Sequence, residues 1–102
     1  MNKGYWILRI DVSDQDKFKQ YSEAAAVALK KYKARFVIRA GMSECMEGEA
    51  RLRNTVIEFP SYQDALDCWN SPEYQSAIAI RKEVTIADLV VIEGYDGPQP
   101  TT

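Results

Sequence analysis

Histidine is missing from the chain altogether. That absence excludes a Ser–His–Asp triad, a Cys–His nucleophile pair, a His-ligated zinc and a haem with a proximal His. Cysteine is scarce: Cys45 and Cys68 stand too far apart for a CxxC motif, and no further Cys or His completes a metal set. Long hydrophobic runs are also lacking, since none approaches the roughly 20 residues of a membrane span. Met1-Asn2-Lys3-Gly4 leads into a strand-like segment, not the h-region of a signal peptide. The expectation is a cytoplasmic chain, off the membrane, with both thiols reduced. There is no surplus of positive charge: 13 Lys+Arg face 15 Asp+Glu, a net −2. A nucleic-acid binder needs a basic stripe to displace counterions, so that class is set aside. The densest basic stretch, Lys30, Lys31, Lys33 and Arg35, reads as the solvated end of a helix, where cations complement the macrodipole.

What is present fits one small domain. The 102 residues are 46% hydrophobic and 27% charged, ordinary for a globular chain, and leave no room for a second core. Residues 1–97 are expected to form the domain and 98–102 a frayed tail. Tyr5–Val12 is rich in aromatic and β-branched residues and predicts a first strand. Ser13-Asp14-Gln15-Asp16 is close to a capping box. Phe18, Tyr21, Ala25, Ala28, Leu29 and Tyr32 then recur at helical spacing, ending near Lys33. Arg35–Ala40 predicts a second strand, Ser43–Met46 a short extra one, and Glu47-Gly48-Glu49 a hairpin tip. Asn54–Phe59 predicts a further strand stopped by Pro60. Ser61-Tyr62-Gln63-Asp64 starts a helix, Ser71-Pro72-Glu73 starts another, and Ile86–Glu93 is the last strand. This order is that of an α+β, ferredoxin-like βαββαβ fold with an antiparallel sheet.

Strand alternation divides the side chains between two sheet faces. Trp6, Leu8, Ile10, Phe36, Ile38, Thr55, Ile57, Phe59, Ala87, Leu89 and Val91 form an apolar set expected under the helices. Tyr5, Ile7, Arg9, Asp11, Arg35, Val37, Arg39, Asn54, Val56, Glu58, Asp88, Val90 and Ile92 form a mixed set. Its aliphatics would leave an exposed apolar patch, so a homodimer through this face is expected.

Arg9 and Glu58 fall on neighbouring strands and are expected to meet. Two readings apply. One is an ion pair that neutralises buried charge and fixes dimer register. The other has Arg9 and Arg39 holding a carboxylate, with Glu58 as base or orienting group. Trp6 and Trp69 read as core. Tyr5, Tyr21, Tyr62 and Tyr74 could supply hydroxyls to a pocket, but aromatic packing with the hydroxyl reaching solvent is the favoured reading for each. Glu44, Glu47 and Glu49 read as solvated loop charges, so no metal and no cofactor are expected.

Several runs carry a family resemblance: Lys3-Gly4-Tyr5-Trp6, Arg35–Gly41, Arg53–Ser61, Ser71-Pro72-Glu73-Tyr74 and Ala87–Gly94. Together they resemble a largely bacterial family of small domains of unknown function in the dimeric α+β barrel superfamily. The resemblance implies two ferredoxin-like sheets packed across a dimer. It places the family's arginines at Arg9, Arg39 and Arg53 and its acidic position at Glu58. That superfamily holds cofactor-independent monooxygenases, isomerases, haem enzymes and ligand-sensing modules, so fold carries over better than function. The first expectation is a homodimer binding a small anionic organic molecule between sheet and helices, through Arg9, Arg39, Arg53 and Glu58. The alternative is a cofactor-independent isomerase or monooxygenase with Glu58 as base and Arg9 and Arg39 holding an acidic substrate. A purely structural dimer is a third.

Overall fold

A computed structural model describes residues 2–101. The elements run β1 (Gly4–Val12), α1 (Gln15–Lys31), β2 (Arg35–Arg39), β3 (Arg53–Phe59), α2 (Tyr62–Asn70), α3 (Pro72–Arg81) and β4 (Thr85–Glu93). The four strands form one antiparallel sheet in the order β2-β3-β1-β4, the ferredoxin-like arrangement.

Each helix starts where a side-chain oxygen can satisfy a free backbone N–H. Ser61 Oγ accepts from Asp64 N at 3.0 Å, and Ser71 Oγ accepts from Tyr74 N at 3.2 Å. Helix α1 departs from expectation by one residue. Asp14 is its cap and accepts from Lys17 N at 3.1 Å, while Ser13 Oγ donates to the Val84 carbonyl. The expected short strand at Ser43–Met46 does not form. Residues 40–52 are an extended loop whose Met42, Met46 and Leu52 side chains face solvent. With so few apolar side chains in contact, a strand there would bury nothing to offset its ordering entropy.

The helices cover one face of the sheet. Trp6, Leu8, Ile10, Ile57 and Phe59 are buried against Phe18, Tyr21, Ala25, Ala28, Ala65, Cys68, Tyr74 and Ala77. Each large apolar side chain removed from water contributes about 1.5–3 kcal/mol. Trp6 sits at the centre, 4.7 Å from the Tyr74 ring centroid and 5.0 Å from that of Phe59, and its indole N–H donates to the Ala65 carbonyl at 2.9 Å. Gly4 lies so close to the α2 start that a Cβ there would press on Tyr62 Cα at 2.6 Å.

The opposite face is open. Ile7, Ile38, Val90 and Ile92 are exposed there, and Val56 is half-buried. The terminal segment is described through Thr101, and the Tyr95 hydroxyl donates to the Pro98 carbonyl at 2.7 Å. Met1 and the last residue of the expected tail, Thr102, lie outside the described residues.

Candidate functional site

One irregularity in β2 redistributes the charges. Phe36 pairs with Ile57, but Ile38 pairs with Val56 and Arg39 with Thr55, because Val37 is an extra, bulged residue. A bulge shifts the side-chain period by one. Ile38 and Arg39 therefore exchange faces relative to strict alternation: Ile38 lies on the open face and Arg39 on the helix side.

Arg39 accordingly borders a cavity between α1 and the sheet. The cavity encloses about 360 Å³, inside the roughly 300–1,000 Å³ range of small-molecule sites. Its walls are mainly Trp6, Leu8, Ile10, Leu29, Phe36 and Ile57, with Arg39, Arg53, Lys30, Ser22, Tyr21 and Thr55 as its polar members. Among the described residues no carboxylate lines it. The Arg39 guanidinium lies 4.0 Å from the Phe36 ring centroid, and that of Arg53 lies 4.9 Å from the Phe18 centroid. Stacking of this kind contributes about 0.5–1 kcal/mol at accessible sites and orients the planar cation. It leaves the charge uncompensated: among the described residues neither arginine has an ion-pair partner.

Glu58 lies on the other face of the sheet. It stands opposite Tyr5 and Arg35 in the strand register. Arg35 Nε donates to its Oε1 at 2.9 Å, the Tyr5 hydroxyl donates to Oε2 at 3.0 Å, and Lys3 Nζ is 3.7 Å away. The hydrogen bond from Arg35 is the main reason its carboxyl titrates below the ordinary range.

Arg9 does not reach Glu58. It stands opposite Asn54 and Asp88, donates to Asn54 Oδ1 at 3.2 Å and bonds the Glu49 carbonyl. Arg51 lies nearby, 3.2 Å from both Asp11 and Asp88 carboxylates, and Leu52 N donates to Asp11 at 2.8 Å. These contacts pin the 40–52 loop to the open face. The four expected site residues thus form two pairs on opposite sides of the sheet: Arg39 and Arg53 in the cavity, Arg9 and Glu58 outside it.

Sequence reading missed Lys30, Ser22 and Thr55 as lining residues. Ser22, Ala26 and Lys30 recur every four residues beside the core stripe of α1, a signal that a second contact face exists. It also placed the Tyr21 and Tyr74 hydroxyls in solvent, whereas both residues are buried and their oxygens lie 2.7 Å apart. Cys68 is buried and inert, its thiol pushed up to about 12 by desolvation, whereas Cys45 is exposed.

The fold and cavity define a ferredoxin-like α+β domain with a cavity bordered by cationic side chains. Residues 3–95 match the family model described as Domain of unknown function (DUF1330), and the chain belongs to that family. Among curated proteins no sequence matches it. Solved structures of the same fold include a protein of unknown function from Rhodopseudomonas palustris, at 11% identity and TM-score 0.77, over 94% of this chain and 85% of that one. SnoaB, a cofactor-independent oxygenase from Streptomyces nogalater, superposes with TM-score 0.64 at 10% identity, over 98% and 99% of the two chains. A dimeric protein of unknown function and ferredoxin-like fold from Bacteroides fragilis gives TM-score 0.58 at 19% identity, over 90% and 96%.

Proposed function

We propose that this protein is a homodimer that binds a small amphipathic carboxylate in the cavity between α1 and the sheet. The observation that carries the reading is that Arg39, Arg53 and Lys30 all line a mainly apolar cavity in which, among the described residues, no carboxylate faces them. A guanidinium matches a carboxylate bidentately, and the apolar walls favour a hydrocarbon or aromatic body. Arg9 and Glu58 contribute to the loop and the open face, not to this cavity. The exposed aliphatics of that face, and a fold neighbour described as dimeric, support the homodimer.

Thermal shift with 4-phenylbutanoate tests the binding site. The wild type should melt several degrees higher at saturating ligand, and Arg39→Ala and Arg53→Ala should each lose most of that rise. An equal shift in all three proteins would remove the reading.

A second reading is supported by the description of the Streptomyces nogalater neighbour as a cofactor-independent oxygenase. In it the same cavity holds an oxidisable acidic substrate. Glu58 is then a poor base, because Arg35 and Tyr5 occupy its carboxylate and hold it ionised with weakened basicity.

A further inference from the structure

We infer that the cavity's ligand carries two carboxylates on adjacent carbons, one for each arginine: the ligand class is a vicinal dicarboxylate with an apolar body. This rests on the anion-binding reading above and deepens it.

The sheet sets the two arginines side by side. Arg39 stands opposite Thr55 in the β2–β3 register, and Ala40 N extends that register by donating to the Asn54 carbonyl at 3.0 Å. Arg53 lies two residues from Thr55 on β3 and so shares its face. Its β1 partner is Ile10, a buried helix-side residue. Arg39 and Arg53 are therefore diagonal neighbours across two strands, about 7–8 Å apart. Both line the cavity.

Their guanidiniums are held on separate rings. Arg39 rests on Phe36 of β2 and Arg53 on Phe18 of α1, so the two heads belong to different elements. Among the described residues neither has an ion-pair partner. On the open face, by contrast, Glu58 answers Arg35, and Asp11 and Asp88 answer Arg51. Lys30 is not a third member of the pair, because it follows Phe18 along α1 by about 18 Å of helix rise.

Neighbouring like charges repel, and each negative charge placed against them lowers the repulsion. A lone carboxylate has two oxygens. Shared between two guanidinium forks, it offers one oxygen to each, so it depends on both arginines and completes neither. A second carboxylate on the adjacent carbon gives each fork its own bidentate partner and matches both charges. Leu29, Phe36 and Ile57 are then the walls for the apolar body.

Three acids of one skeleton isolate the second charge by calorimetric titration at about pH 8, where their carboxyls are ionised. 4-Phenylbutanoate carries one carboxylate. 2-Benzylsuccinate is the same chain with a second carboxylate on the adjacent carbon. 3-Carbamoyl-4-phenylbutanoate replaces that second carboxylate with a neutral amide of the same shape. The wild type should bind 2-benzylsuccinate at least about tenfold more tightly than 4-phenylbutanoate, the worth of a further charge-assisted bidentate contact. It should bind the amide within about threefold of 4-phenylbutanoate, since a neutral group leaves the second charge unmatched. Arg39→Ala and Arg53→Ala should each bring the preference for 2-benzylsuccinate to about one, because a single fork takes a single carboxylate. Equal binding of 2-benzylsuccinate and 4-phenylbutanoate by the wild type overturns the inference. So does an amide that binds as tightly as the diacid, or an arginine variant that keeps the preference. If the wild type binds none of the three acids, or both arginine variants bind all three unchanged, the anion-binding reading itself fails and this inference falls with it.

Discussion

A guanidinium stacked on a phenyl ring is held without being neutralised, whereas one facing a carboxylate is both held and neutralised. Four arginines of this chain divide along that line. Arg39 and Arg53 rest on Phe36 and Phe18 and keep their charge for an incoming anion. Arg35 and Arg51 are consumed by Glu58 and by Asp11 and Asp88. Glu58 gives the second group a pH signature. Its pKa is lowered on folding, first by the Arg35 hydrogen bond. A lowered carboxylate stabilises the fold fully above its unfolded value of about 4.3, and that contribution is lost as pH falls through the folded value. Melting temperatures of wild type and Glu58→Gln should therefore differ at pH 7 and converge as the pH falls below about 4. A gap that persists unchanged at pH 3 would mean that the ion pair is not its source.

At the scale of elements, one inserted residue has the largest functional consequence. The bulge at Val37 turns Arg39 into the cavity and Ile38 onto the open face. Deleting Val37 restores strict alternation through the end of β2. The deletion variant should stay folded, since β2 is an edge strand, exposed along its length. Arg39 then stays opposite Thr55 on the helix side, so the deletion variant should keep the thermal shift with 4-phenylbutanoate that Arg39→Ala loses. A deletion variant that loses the shift as fully as Arg39→Ala would show that Val37 is not simply an extra residue between Phe36 and Ile38. The strands, their order, both serine caps and the Ser71-Pro72 break between α2 and α3 were all legible in residue patterns. The bulge was not: Arg35-Phe36-Val37-Ile38-Arg39 contains neither glycine nor proline to mark it. The absent Ser43–Met46 strand was misread for a related reason, because a few residues of strand-like composition do not say whether a partner strand lies within reach.

For the whole molecule, the sheet has one sealed face and one open one. Ile7, Val90 and Ile92 lie 38–51% exposed beside Val56, bounded by the Glu58–Arg35 cluster and the Arg9–Asp88–Arg51 cluster. An aliphatic strip of this kind, rimmed by charge, has the anatomy of a subunit interface. Light scattering behind a sizing column should return twice the 11.6 kDa chain mass for the wild type. Ile7→Asp places a charge at the strip's centre and should return the single-chain mass with the far-UV spectrum unchanged, since Ile7 does not enter the helix-side core. A wild type that runs as a monomer at high concentration would remove the homodimer.

The sequence by itself determined the α+β order, the antiparallel sheet, the helix-side core and the apolar character of the second face. These follow from side-chain periodicity and from capping chemistry, which are local. It also marked Arg9, Arg39, Arg53 and Glu58 as the polar residues to watch, but joined them into one site. Only the tertiary structure separated them, because the face that a strand residue occupies depends on every residue counted before it. A single bulge reversed that count for Arg39. The missing histidine narrowed the chemistry to arginines, carboxylates and tyrosines. Packing of α1 and α3 on the sheet then set which of these border the cavity and which lie beyond it.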